Sequence, residues 1–549
     1  MVSSVEVCLH LFFLGIFVSR SYGAYTKIDP LVQTELGLIK GLRANDGDYS
    51  MFMGIPYAQV NASNPFGASL PPTRFEGIFE ALNSSAICPQ YEIFQEAVTG
   101  SLDCLHLNIY VPTSASSQNR LPIMVWIHGG GFTGGSAGKS IYGPKFIVRH
   151  GVILVTVNYR LGPYGFMCLD TPEVPGNQGL KDQLTALRWI KRNINSFGGD
   201  TSKITVFGES AGGVSVDLHL MSPTEKLFDQ SILQSGTSLI PIYYAQQRNA
   251  PQKIAAYLGY PTSSIDDAIT FLAGTDTKLI IAAALDLGLQ FSPCIEKQFD
   301  GVESFLIENW VDQTVIPKVN KMPILIGYNS NELHSTYFNK TQSFYDNLNI
   351  FNERLSACFD VRSVEFSEME TVVKHFYLGD DNMSLQNSYT IGDFDSDFVF
   401  VHPTYRTISK YLENSPGNIY NYMFSYSGNR QLSEIFLNMT SDGAAHADDI
   451  GYLFDVESVP ETSDDDQKVL DRMTTMWTNF AKYGDPTPAV TDLLETKWEP
   501  ITKSSATYNL EINLETSMHT SRPFNMRMTF WDLFYRAYES LQIVYPDSE

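Results

Sequence analysis

Ile204-Thr205-Val206-Phe207-Gly208-Glu209-Ser210-Ala211-Gly212-Gly213 decides how this chain is read. Four β-favouring residues run straight into a G-x-S-x-G pentapeptide, and the helix-compatible stretch Val214 to Met221 follows directly. That is the strand–tight turn–helix context in which a serine is presented at the top of a sheet. A serine hydroxyl is a poor nucleophile unless it is held beside a base, with backbone N–H groups aimed at the developing oxyanion. Glycines two residues before and two after Ser210 let the turn close where side chains would clash.

The pentapeptide alone is weak evidence, since ordinary Gly and Ser usage gives about 0.2 chance matches in a chain this long. A second match indeed stands at Gly134-Gly135-Ser136-Ala137-Gly138. Phe132-Thr133 precede it instead of a strand, and Lys139-Ser140 follow instead of an apolar helix face. Ser136 is therefore read as loop, and Ser210 as the nucleophile.

The chain has 549 residues, 43% of them hydrophobic and 18% charged, enough to bury a large core and too apolar for a disordered chain. Its formal charge of −24 makes nucleic acid and anionic membrane surfaces poor partners. Val7 to Val18 is an apolar block too short to span a bilayer, followed by Arg20 and the small residues Ser21, Gly23 and Ala24. Residues 1–23 fit a signal peptide, although Met1 to Glu6 lack the usual Lys or Arg. Residues 24–549 are then expected to be a single secreted, extracellular domain. The C-terminal Val544 to Glu549 shows neither a retention signal nor a lipid-anchor tail, so no membrane anchor is expected. Sequons at Asn61, Asn83, Asn339, Asn382 and Asn438 suit glycosylation in that compartment. Of six cysteines, Cys8 would leave with the signal. Cys88 and Cys104 are near enough in sequence to close a small loop. Cys168, Cys294 and Cys358 remain, an odd set that leaves at least one thiol free and its connectivity open.

Short strands are expected at Leu36 to Gly41, Tyr49 to Ile55 and Leu105 to Val111. Pro122 to Ile127 is a wholly apolar run of the kind buried on both faces of a parallel sheet, and Val152 to Tyr159 is a second buried run. Leu180, Leu184, Leu187, Ile190 and Ile194 then recur at helical spacing, with Gly198-Gly199 as a stop. Gln230 to Gln234, Pro323 to Ile326 and Ile419 to Phe424 are further strands, and a late helix carries Leu470, Met473, Trp477 and Phe480 on one face. Strands alternating with helices, without repeat or linker, indicate one large α/β domain. The stretches 240–320 and 340–400 resist assignment and suit a cap over a site.

An activated serine needs a base, and the base a partner that fixes its tautomer. After Ser210 the histidines are His219, His334, His375, His402, His446 and His519. His219 lies on the elbow helix, too local to reach back over Ser210. His402 precedes Pro403 in an apolar stretch and reads as a packed or surface residue. His446 sits among small residues, Ser441-Asp442-Gly443-Ala444-Ala445-His446-Ala447, which let a backbone loop approach a site. Glu332 follows the short apolar run Ile324-Leu325-Ile326-Gly327, past a strand's carboxyl end, where catalytic groups of open α/β sheets collect. A solvated loop carboxylate is the competing reading of Glu332. The glycines of His128-Gly129-Gly130-Gly131-Phe132 leave N–H groups unobstructed to meet a carbonyl oxygen together with the N–H of Ala211. No nucleotide-loop pattern stands there.

Together with His128 to Phe132 and Gly208 to Gly213, the motifs Leu102-Asp103-Cys104-Leu105-His106-Leu107-Asn108, Asn158-Tyr159-Arg160-Leu161-Gly162 and Gly176-Asn177-Gln178-Gly179-Leu180-Lys181-Asp182-Gln183 resemble the type-B carboxylesterase (cholinesterase-like) family. The resemblance runs from about Leu38 to Trp531, and its character is most like secreted insect carboxylesterases, including antennal odorant- and pheromone-degrading esterases.

That resemblance implies an α/β-hydrolase fold, a large mostly parallel central sheet flanked by helices. It also implies Ser210 as nucleophile, Glu332 as acid and His446 as base. Gly130, Gly131 and Ala211 take the oxyanion positions, Cys88 pairs with Cys104, Arg160 with Asp182, and Phe291 falls in the acyl-pocket stretch. Glu209 and Ser235 match a buried polar network behind the site. Three departures from the family pattern stand out: Leu333 replaces the glycine usual after the acid, Asp103 replaces a usual glutamate, and the family's cysteine pair upstream of position 294 is not evident. The expected activity is hydrolysis of small-molecule carboxylic esters through an acyl-enzyme, with no metal and no cofactor. Juvenile-hormone-type esterases, a rival, usually carry Gln where Glu209 stands. Catalytically inactive adhesion or binding proteins of the family, a second rival, typically lack a triad member.

Overall fold

The computed structural model describes residues 30–92, 96–241, 247–459 and 462–543. The expected signal segment lies outside them. The strands of the central sheet are, in chain order, Leu42–Arg43 (β1), Tyr49–Pro56 (β2), His106–Pro112 (β3), Leu121–Ile127 (β4), Ile153–Val157 (β5) and Gly199–Glu209 (β6). Gln230–Gln234 (β7), Ile324–Asn329 (β8), Ile419–Phe424 (β9), Asn509–Ile512 (β10) and Ser517–His519 (β11) complete it. Across the sheet the order is β11-β10-β9-β8-β7-β6-β4-β5-β3-β2-β1. The run from β10 to β5 is parallel and both margins are antiparallel. The expected mostly parallel α/β sheet is what the chain forms.

Strand β4 shows why its sequence is apolar at every position. Ile123, Val125 and Ile127 enter one core cluster while Met124 and Trp126 enter the other. Successive side chains leave a strand on opposite faces, so a sheet covered on both sides needs apolar residues throughout. Helix Gln178–Asn193 lays Leu180, Leu184, Leu187 and Ile190 into the first cluster. Helix Asp464–Tyr483 lays Leu470, Met473, Trp477 and Phe480 into the second. The latter starts with a Ser463/Asp466 capping box and ends on Gly484 in the left-handed region.

Between β6 and helix Ala211–Met221 stands Ser210, at φ 56 and ψ −125. A non-glycine residue held there costs about 1–3 kcal/mol and persists only where its surroundings impose it. They do: a Cβ on Gly208 would meet the Gly212 carbonyl carbon at 2.5 Å, and one on Gly212 the Ile127 oxygen at 2.0 Å. Ser136 by contrast lies in coil and lines a separate hollow with Asn83 and Lys139.

The stretches that resisted assignment hold mostly short helices, Ala250–Tyr257, Ile265–Ala273 and Thr277–Asp286 in the first, and Ile350–Ser356, Phe366–Leu378 and Ser388–Ser396 among those of the second. Strands β10 and β11 went unread because four and three residues, with Asn509 and Glu511 among them, carry too little apolar pattern.

Among the described residues there are two disulfides, Cys88–Cys104 and Cys168–Cys294, with Cys358 free. The partner of Cys294 that the sequence did not reveal is thus Cys168, 126 residues upstream. Beside it Asn177 donates to the Cys294 carbonyl (2.8 Å) and to Glu296 (2.7 Å), and Lys181 pairs with Glu296 at 2.6 Å. Arg160 and Asp182 form the expected ion pair at 2.7 Å, both side chains fully buried.

Candidate active site

The sheet delivers three functional groups to the carboxyl ends of its parallel strands. Ser210 follows β6, Glu332 lies three residues past β8, and His446 sits in the long connection after β9. Such groups meet at this edge because the strands all end on one side.

The histidine loop is docked against the β8 turn by main-chain and side-chain hydrogen bonds. Asn331 N–H donates to Ala444 O (2.8 Å), His446 N–H to Glu332 O (2.9 Å), and Ala444 N–H to the Ser330 hydroxyl (3.0 Å). The Asn329 amide donates to Ala445 O at 2.7 Å. With the loop so held, His446 Nδ1 donates to Glu332 Oε2 at 2.6 Å, while Glu332 Oε1 accepts the Asn329 N–H at 2.7 Å. Glu332 is fully buried, which disposes of the solvated-carboxylate reading. Phe400 lies against the other face of this arrangement, its ring 4.6 Å from the imidazole.

His446 Nε2 stands 3.2 Å from Glu209 Oε1, yet that oxygen has no hydrogen-bond partner among the described residues. The contact is electrostatic. Burial disfavours the His446 imidazolium, but the nearby Glu209 and Glu332 carboxylates outweigh it and push the pKa up to about 9. Burial raises Glu209 to about 8 against the pull of His446. Asp449, also buried, rises to about 6 and completes a cluster of three carboxylates around one imidazole.

Ser210, His446 and Glu209 line one cavity of about 510 Å³ with Gly129, Gly130 and Gly131. Its remaining wall is largely apolar: Ile141, Tyr142, Leu432, Phe436, Leu437 and Ile450, with Tyr91 and Glu92 at one side. The N–H groups of Gly130 and Gly131 find no acceptor among the described residues. Ala211 opens its helix, so its N–H has no intrahelical partner either. A serine, an imidazole and a carboxylate with three N–H groups nearby can activate a hydroxyl and hold an oxyanion.

Other expectations fall as follows. Phe291 is buried in the first core cluster and is not among the residues lining this cavity. His219 and His402 are buried, the former 3.1 Å from Gln183 and the latter 3.3 Å from Asp532. Asn83, Asn339, Asn382 and Asn438 are exposed and Asn61 is half-buried. The polar network behind the site runs through Gln234 instead of Ser235. Gln234 donates to Asp449 (2.7 Å) and accepts from Trp477 Nε1 (3.0 Å), whereas the Ser235 hydroxyl has no partner among the described residues. Strand alternation explains it, since Gln234 shares the face of Ile232. Sequence reasoning also passed over Asp448 and Ser433. The run His446-Ala447-Asp448-Asp449, two carboxylates beside a histidine, was the available signal.

Comparison with known proteins agrees with this geometry. A model described as "Carboxylesterase family" matches residues 28–531. Juvenile hormone esterase of Tribolium castaneum is 33% identical over 506 residues, covering 85% of this chain and 85% of that protein. Bile salt-activated lipase of Homo sapiens is 32% identical, over 96% of this chain and 72% of its own length. Esterase FE4 of Myzus persicae is 30% identical over 92% of each. The crystal structure of juvenile hormone esterase from Manduca sexta, with OTFP covalently attached, superposes with a TM-score of 0.80 at 25% identity, covering 93% of this chain and 100% of that one. The sheet order and these likenesses make the fold an α/β-hydrolase fold.

Proposed function

The chain belongs to the carboxylesterase family, and from that premise we propose that it is a secreted serine esterase hydrolysing neutral, apolar carboxylic esters. Ser210 attacks the ester carbonyl as His446 Nε2 takes its proton. The oxyanion is held by the N–H groups of Gly130, Gly131 and Ala211, each worth ~3 kcal/mol when well aligned. His446 returns the proton to the leaving alcohol, and Glu332 keeps Nδ1 protonated and stabilises the imidazolium. Water, activated by the same imidazole, then releases the acid from Ser210. The observation that supports this most is the 2.6 Å contact between Glu332 and His446 beside the cavity that Ser210 lines.

The apolar wall of Ile141, Leu432, Phe436, Leu437 and Ile450 supports an apolar substrate, such as an odorant, pheromone or xenobiotic ester. Each buried methylene contributes about 0.8 kcal/mol there. Phe291, buried outside that cavity, stays in this reading as the residue bounding a small acyl group. Two disulfides support export, with residues 1–23 removed, 24–549 acting as one domain and glycans on the exposed sequons. A juvenile-hormone-type esterase is the second reading, favoured by the 33% identity to the Tribolium castaneum enzyme and opposed by Glu209.

The test is hydrolysis of p-nitrophenyl acetate by the protein purified from culture medium. Ser210→Ala should lower turnover by roughly 10⁴-fold or more, while Ser136→Ala keeps most of it. A fluorophosphonate should label the peptide holding Ser210; labelling at Ser136 would overturn the assignment. Juvenile hormone hydrolysed far ahead of simple acetates would favour the second reading.

A further inference from the structure

The outer wall of the cavity is the six-residue helix Leu432–Leu437, which presents Leu432, Ser433, Phe436 and Leu437 to it. A helix this short does not persist through its own hydrogen bonds. Apolar packing holds it only in part: Leu432 packs against the second core cluster, but Ser433 is its one buried residue and Leu437 is 52% exposed. Its preceding residue, Gln431, makes no side-chain cap and instead donates to Tyr426 O and Gly443 O.

The fixing contact comes from Asp448, two residues past His446 and fully buried. One carboxylate oxygen accepts the Ser433 N–H at 2.8 Å. The other accepts the Ser433 hydroxyl at 2.8 Å and the Ala445 N–H at 2.7 Å. Two of the three donors belong to Ser433 in the first turn, where the carboxylate satisfies one orphan N–H of the helix, and the third belongs to the histidine loop. Asp448 therefore fastens the cavity wall to the loop that carries His446, alongside the Gln431 bond to Gly443 O.

We propose that Asp448, acting through Ser433, is a positioning residue that sets chain-length selectivity, holding Leu432–Leu437 where the long apolar arm of the ester lies. This deepens the esterase reading above and rests on it. Short esters, which end before Phe436 and Leu437, do not need the wall; long ones do.

The measurement is kcat and KM for ethyl acetate and decyl acetate on the purified full chain. Ser433→Ala removes the hydroxyl bond while keeping the N–H bond. It should lower the decyl-to-ethyl ratio of kcat/KM by roughly three- to tenfold, mostly through KM for decyl acetate. Ser433→Thr, which keeps the hydroxyl, should restore the ratio. General damage to the fold would instead lower kcat for both esters in parallel, which would overturn the proposal. Leu437→Ala, at an exposed position, should lower the same ratio; an unchanged ratio there means that the long arm does not follow this helix, and the proposal falls. A wild-type chain that hydrolyses neither ester would overturn the esterase reading and this one with it, whereas wild-type hydrolysis with an unmoved ratio in Ser433→Ala overturns only this one.

Discussion

Glu332 grips His446 twice: its carboxylate accepts the Nδ1–H at 2.6 Å and its main-chain carbonyl accepts the His446 N–H at 2.9 Å. Only the first depends on the side chain. Glu332→Gln should therefore keep the loop docked while losing the charge that stabilises the imidazolium and selects its tautomer. A loss of about 10³–10⁴ in turnover is expected in a protein with unchanged circular dichroism. Near-normal turnover would mean that another carboxylate, Glu209 or Asp449, serves His446.

The second prediction is a pH profile. On the proposed mechanism His446 must be neutral to accept the serine proton, so kcat/KM should rise with pH as the imidazolium is lost. That limb belongs to the coupled His446–Glu209 pair, not to either group alone. With Glu209 and Glu332 pushing His446 up to about 9 against burial, removing one carboxylate must favour the neutral imidazole. Glu209→Gln should move the limb to lower pH by about one unit. A limb that stays put or moves upward contradicts this electrostatic account.

Stability offers a third. Arg160 pairs with Asp182 and also donates to Pro65 O (3.1 Å) and Gly67 O (2.6 Å), all without solvent. Asp182→Asn leaves the guanidinium buried and uncompensated, which should cost about 3–5 kcal/mol. Urea midpoints under non-reducing conditions measure it, and a change below about 0.5 kcal/mol would show the pair to be dispensable.

The fourth concerns the alcohol. A quaternary ammonium gains ~2 kcal/mol or more from a desolvated aromatic face, tryptophan above all. None of the chain's six tryptophans lies between Cys88 and Cys104, and Tyr91 is the described aromatic there that lines the cavity. The charge of −24 attracts cations only within the ~8–10 Å that salt permits. Hexyl and decyl acetate should exceed acetylcholine in kcat/KM at physiological salt, and acetylcholine matching both would refute the apolar reading.

How much of this was legible beforehand follows the range of the interaction concerned. The elbow was legible because strand, glycines and helix are contiguous, and the flanking helices because their apolar residues repeat at three and four. His446 and Glu332 were only candidates from local pattern, since 114 residues separate them and nothing nearby reports their contact. The resemblance carried them. Cys168 and Cys294 stayed open for the same reason. Asp448, despite its place beside His446, and Ser433 were passed over because a lone acid and a lone serine look solvated until the fold buries them together. Phe291 was expected at the acyl side on resemblance alone; it packs in the first core cluster and is not among the residues lining the wide cavity.

The Cys168–Cys294 bond has a consequence for how the molecule breaks. It closes a covalent ring that contains Ser210, and exposed Tyr257 and Leu279 mark accessible surface on that ring. A protease that cuts once among helices Ala250–Tyr257 to Thr277–Asp286 opens the ring without parting the chain. The nicked protein should migrate as one band until thiol is added, and as two pieces thereafter.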